Sequence, residues 1–140
     1  MIKQISVFVE NKKGRLSSLT RAIADSGIDI KALSIADTAK FGILRMIVKD
    51  PDHALKVIKE ANFTASVTEV IGIEVADKPG GLADVLEAVK ENDIAVEYIY
   101  SFVSSNATDN AFIIFKVDEP EKAASLLANS GLKLITQDMI

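Results

Sequence analysis

Apolar and smaller or polar residues alternate over positions 5–9 and again over 71–75, the pattern of a strand with one buried face. A helical spacing follows each: Leu16, Leu19, Ala22 and Ile23 share one face, as do Leu82, Val85, Leu86 and Val89. Gly27 is placed to end the first helix and Asn92 lies near the end of the second. Apolar segments then come in pairs, 30–35 with 43–48 through residues 37–42, and 96–102 with 112–117 through the polar residues 104–110, and each pair predicts a hairpin. A second helix is announced by Asp50 as cap with Pro51 behind it, and in the later stretch by Asp118, Glu119 and Pro120. Ala54, Leu55 and Ile58, then Ala123, Leu126 and Leu127, supply its apolar stripe. Closing strands are predicted over 65–70 and 132–136, so the order β-α-β-β-α-β occurs twice, an α+β chain of two ferredoxin-like modules.

The repeat can be followed residue by residue. Gly14-Arg15-Leu16 is echoed by Gly80-Gly81-Leu82 at a spacing of 66, and Leu19, Ala22, Ile23, Ile28 and Ile30 fall on Val85, Ala88, Val89, Ile94 and Val96 in the same register. Farther on, Asp50-Pro51 answers Asp118-Glu119-Pro120 at a spacing of 68, which places about two extra residues in the second hairpin loop. The modules are read as residues 1–70 and 71–140, and the passage through Val70-Ile71-Gly72 has no Pro-rich or Ser-rich linker. Two halves tethered this closely are expected to pack as one rigid pseudo-twofold pair.

Composition removes several function classes. The hydrophobic fraction of 49% and charged fraction of 26% suit a packed core, and the net charge of -4 denies the chain the overall positive field that holds nucleic acid or an anionic membrane. The absence of cysteine rules out a disulfide framework, a thiolate metal site and a thiol nucleophile. Met1-Ile2-Lys3-Gln4-Ile5 runs directly into a strand pattern, and no apolar run is long enough to span a bilayer, so a cytoplasmic location without membrane contact is expected.

The candidate chemistry lies in the loop after each first strand, Glu10-Asn11-Lys12-Lys13-Gly14-Arg15-Leu16 and Ala76-Asp77-Lys78-Pro79-Gly80-Gly81-Leu82. Gly14 and Gly80 permit a tight turn and close approach of a ligand to the backbone. Unpaired N–H groups at the start of the following helix suit a carboxylate. These loops, with the helix-to-strand junctions Ser26-Gly27-Ile28-Asp29-Ile30 and Asn92-Asp93-Ile94-Ala95-Val96, resemble the signature segments of ACT domains over nearly the whole chain. The resemblance implies a stand-alone tandem ACT protein, a regulatory binder of an amino acid at the interface of paired modules, acting on a separate metabolic enzyme. Asn11 and Asp29 are placed by motif to accept from the ligand's ammonium group; their counterparts are Asp77 and Ala95, so binding is expected to be asymmetric, with Tyr98, Tyr100 and Ser101 of the second copy forming a wall.

Other residues admit two readings. Arg45 shares a face with Ile43 and Ile47 and needs either an acidic partner, solvent or a ligand carboxylate. Tyr98 and Tyr100 share a face and could form a packing pair, Phe112 and Phe115 read as core, and His53 reads as a solvated residue in a helix's first turn. No catalytic triad, metal-ligand spacing or phosphate-binding Gly-Lys-Ser/Thr ending is present, so neither catalysis nor a cofactor is expected. The alternatives are a small ferredoxin-like enzyme of the acyl-phosphate hydrolase type using Arg15 and Asn11, an RNA-binding module disfavoured by the acidic charge, and a ligand-free oligomerisation adaptor. Homodimer formation is expected, since open sheets leave edges to protect.

Overall fold

The structure, a computed structural model, describes residues 1–37, 40–103 and 109–140, which fall into two compact units: 3–68 with Ile140, and 1–2 with 69–139. The first contains β1 (Ile2–Glu10, from Lys3 on), α1 (Arg15–Asp25), β2 (Ile30–Asp37), β3 (Phe41–Val48), α2 (Pro51–Glu60) and the opening of β4 (Thr64–Ala76). Its strand order is β2-β3-β1-β4, with β3 antiparallel to both neighbours. The second contains the rest of β4, α3 (Gly81–Glu91), β5 (Val96–Val103), β6 (Asn110–Val117), α4 (Pro120–Asn129) and β7 (Lys133–Ile135). Its order is β7-β4-β6-β5, antiparallel throughout.

Each unit buries one sheet face under two helices. In the first, Ile5, Val7 and Val9 of β1 and Leu44, Met46 and Val48 of β3 meet Leu19 and Ile23 of α1 and Ala54 and Ile58 of α2. In the second, Ile71, Ile73, Val75, Ile113, Phe115 and Val117 meet Val85, Val89, Ala123 and Leu127. The alternation read from the sequence is thus the alternation of burial, because successive strand residues point to opposite faces. Leu16 and Leu82, read as part of the apolar faces of the helices, depart from it and are both exposed.

All four helices stop in the same way. The residue after the cap adopts a left-handed backbone in Gly27, Asn62, Asp93 and Gly131, and the next amide reaches back to close the last turn, as in Ile28 N to Ile23 O at 3.2 Å and Leu132 N to Leu127 O at 3.1 Å. In the third helix Asn92 is the cap and Asp93 takes the left-handed position. Each stop therefore delivers an apolar residue, Ile28, Phe63, Ile94 or Leu132, back toward the core.

Four sequence expectations change in detail. Strands predicted over 65–70 and 71–75 are one unbroken 13-residue strand, because Val70-Ile71-Gly72 is extended and contains no residue that interrupts a ladder. The cap before Pro120 is Glu119, without a side-chain capping bond, while the Asp118 carboxylate accepts from Ala95 N at 3.0 Å. Counterpart prolines are thus Pro51 and Pro120, and Val9 pairs with Gly42 where Val75 pairs with Ala111, so the second hairpin is longer by three residues and not two. Residues 104–108 of that expected loop lie outside the described residues. Phe112, expected in the core, stands on the other sheet face with its ring edge-on to Phe102 at 5.1 Å, and Phe115 alone of the pair is buried under the helices.

Asp50 does cap α2, its carboxylate accepting from His53 N at 3.0 Å. Asp50→Ala is therefore expected to lower stability by about 1 kcal/mol. Glu119→Ala should cost distinctly less, because Glu119 makes no such bond and its exposed pair with Lys122 is weak; urea denaturation of the two variants compares them.

Candidate functional site

The chain leaves β1 at Glu10 and enters α1 at Arg15 through a turn that only a left-handed residue completes. Gly14 supplies it with φ 87°, as Gly80 does with φ 87° in the second copy, and a Cβ at either position would meet nothing within 4 Å. These two glycines are required for their backbone angle and not for close approach of other atoms. Each turn is tied to the hairpin beside it, by Asn11 N to Lys40 O at 3.2 Å and by Asp77 N to Asp109 O at 3.1 Å.

The same turn leaves the helix start open. Neither α1 nor α3 has a side-chain cap hydrogen bond. The Arg15 amide turns back to Lys12 O at 3.2 Å and the Ser18 amide begins the helical ladder on Gly14 O at 2.9 Å. Between them the amides of Leu16 and Ser17 have no intrahelical acceptor, as helix geometry dictates. The first turn of α1 also holds no acidic residue, whereas α3 carries Asp84 there.

Beside the α1 start lies a cavity of about 270 Å³. Val9, Leu16, Ile35 and Leu44 form its apolar part, and Glu10, Asn11, Lys12, Asp37 and Gly42 complete it. Glu10 and Lys12 form an ion pair at 3.0 Å. That ammonium group, and to a lesser degree Arg15, holds the Glu10 carboxyl below the usual carboxylate range.

Of the residues singled out from the sequence, Asn11 and Leu16 line this cavity, and Gly14 makes the turn beside it. Arg15 does not line it: its guanidinium lies over the Phe63 ring, 4.3 Å from the centroid, so the Arg15 and Asn11 pairing considered for a hydrolase is not assembled. Asp29 pairs with Lys31 at 2.8 Å in a different hollow, shared with Gly27, Lys49 and His53. Arg45 lies opposite Ser6 and Ser34, on the sheet face away from the helices.

The second copy is built differently around its turn. Gly81 occupies the position of Arg15, and a Cβ there would collide with the Ala76 carbonyl oxygen. A hollow of about 280 Å³ lined by Gly81, Asp84, Val85, Ala88 and Leu132 lies on that side, while Asp77 and Leu82 are exposed. Tyr98 and Tyr100 stack at 6.5 Å on the face opposite the helices, and Ser101 is exposed on the helix side of the edge strand. In the same unit, Glu74 of β4 is bonded to Lys133 of β7 at 2.8 Å and to Asn110 of β6 at 2.8 Å.

Sequence reasoning missed Val9, Ile35, Asp37, Gly42 and Leu44 as cavity residues. The signal available was register: Ile35 pairs with Leu44 and Asp37 with Gly42 across the first hairpin, which aligns the end of β2 with the Gly14 turn. Among the described residues, no group of three His, Asp or Glu side chains could hold a metal, and no helix is long and apolar enough to cross a membrane.

Comparison with known proteins agrees with this architecture. The sequence profile of the ACT domain pair matches residues 1–140. The crystal structure of protein BT0572 from Bacteroides thetaiotaomicron is 38% identical with a TM-score of 0.90, covering 99% of this chain and 94% of that one. The regulatory subunit of aspartate kinase from Thermus thermophilus, in its ligand-free form, is 16% identical with a TM-score of 0.64 over 91% of this chain and 90% of that chain. Its counterpart from Thermus flavus is 16% identical at 0.61, over 91% and 88%. These last two likenesses speak to fold. No curated protein matches the chain.

Gly81→Ala is expected to destabilise by about 1–3 kcal/mol, because the obstacle is backbone and cannot swing aside; thermal and urea unfolding measure it. The Glu74 carboxyl is held below its ordinary value by Lys133 first and Asn110 second. Its contribution to stability is thus complete above the unfolded-state value near about 4.3 and is lost as pH falls through the lower folded-state value. An NMR titration of Glu74 should show that depressed midpoint, and Lys133→Ala should move it upward.

Proposed function

The chain belongs to the ACT domain pair family, and from that premise we propose that it is a non-catalytic sensor that binds an amino acid beside the Gly14 turn and acts on a separate metabolic enzyme. The observation that carries this reading is the uncapped start of α1 next to a cavity with an apolar wall and a polar rim. The Leu16 and Ser17 amides stand at the positive end of the helix dipole and suit the ligand's carboxylate. Asn11 and the rim carboxylates offer acceptors for its ammonium group.

Charge favours the first copy over the second. The α3 start carries Asp84 in its first turn, and Asp77 replaces Asn11 in the loop, so an approaching carboxylate meets two like charges. Regulatory subunits of aspartate kinase share the fold, which supports a regulatory role in kind, though a fold hosts many functions and the site carries the argument. Of the other residues read as ligand contacts, Asp29, Arg45, Tyr98, Tyr100 and Ser101 are not part of the lining of this cavity, and the reading does not depend on them. Self-association belongs to the same proposal: β2 is the outer strand of its unit and carries exposed Leu33 and Ile35.

A thermal-shift screen of the common amino acids is expected to give a rise in melting temperature, since a ligand at 100 times its Kd adds about 2.7 kcal/mol to apparent stability. Asn11→Ala should weaken the best ligand roughly tenfold by calorimetry, equivalent to about 1.4 kcal/mol, with the ligand recovered unchanged. A flat response to all of them removes the reading.

A further inference from the structure

We propose that the amino acid taken by this cavity is a small aliphatic one, and that Asp37 is the group that accepts from its ammonium. The inference rests on the sensor reading above and narrows it.

The walls decide the side chain. Val9, Ile35 and Leu44 come from three adjacent strands on the helix side of the sheet, and Leu16 lies in the first turn of α1, so four aliphatic side chains line the cavity. Each ligand methylene placed there gains roughly fourfold in affinity. A hydroxyl in the same place loses its water without gaining a partner, and a charged group loses far more. The volume of about 270 Å³ lies below the range of roughly 300–1,000 Å³ found for drug-sized ligands, which matches a compact molecule.

The rim decides the polar end. Glu10 and Lys12 neutralise each other at 3.0 Å, so neither is an unengaged charge. Asp37 ends β2 opposite Gly42, at the mouth of the cavity, and makes no salt bridge among the described residues. An exposed carboxylate at this point attracts an ammonium group and repels the second carboxylate of an acidic amino acid. Asp29, by contrast, is engaged by Lys31 in another hollow.

Calorimetry on the full chain with valine, leucine, threonine, aspartate, lysine and 2-hydroxyisovalerate tests both parts. Valine and leucine are expected to bind at least tenfold more tightly than threonine, the hydroxyl isostere of valine, and aspartate and lysine to bind more weakly still. Asp37→Asn should weaken valine at least tenfold and change 2-hydroxyisovalerate, which presents a neutral hydroxyl in place of the ammonium, much less. Ile35→Ser, at a half-exposed position, should fold normally and compress the preference for valine over threonine. A polar or charged amino acid binding best overturns the aliphatic assignment while the sensor reading stands. Undiminished valine binding in Asp37→Asn overturns the role of that carboxylate. No amino acid binding at all overturns the sensor reading itself.

Discussion

The left-handed turn at Gly14 and its repeat at Gly80 are the constraint on which the rest depends. A strand that ends on the sheet must reverse into a helix lying across that same sheet within four residues, and a backbone angle of φ 87° accomplishes this. The reversal has a second effect. A cap residue with a side-chain oxygen would satisfy the first amides of the helix, and glycine has none, so the geometry that folds the module also leaves donors at the helix start. Architecture and candidate binding chemistry share one cause.

The two copies keep that cause and diverge around it. In the first, the Arg15 guanidinium is drawn onto Phe63 and the helix start has no acid of its own. In the second, Asp84 sits in the first turn and Asp77 in the loop, so the same dipole is already answered by the protein's own charges. The two helix starts thus share a left-handed glycine at φ 87° and differ in the charges placed around it. Of the aliphatic wall near the first turn, Val9 and Leu44 belong to the core of the unit, whereas Leu16 and Ile35 are exposed and add nothing to that core.

The fold was legible because the signals that specify it are local. Alternation gave the strands, helical spacing the helices, Pro51 and Pro120 their starts, and the match of Gly14 with Gly80 set one copy against the other. What was less legible depends on pairing between distant segments. Asp118 looked like a cap and instead holds the Ala95 amide, 23 residues earlier. Phe112 looked like core because its residue type is apolar, but its face is set by its register with Glu74. The candidate site was partly legible in the same sense: Asn11, Gly14 and Leu16 fall in one short stretch of sequence and were found, whereas Ile35, Asp37 and Leu44 join them only through the hairpin register. Asp29, chosen by motif, follows the helix stop at Gly27 and faces a different hollow.

The tight approach of Gly81 to the Ala76 carbonyl also sets a direction on how the halves can exchange residues. An arginine at the matching point of the first copy could give way to glycine without disturbing any backbone atom, since it projects outward onto Phe63. The reverse step would drive a side chain into a peptide group and require the strand end to shift first. Exchange of residues between the two halves at this position is therefore easier from arginine to glycine than from glycine to arginine.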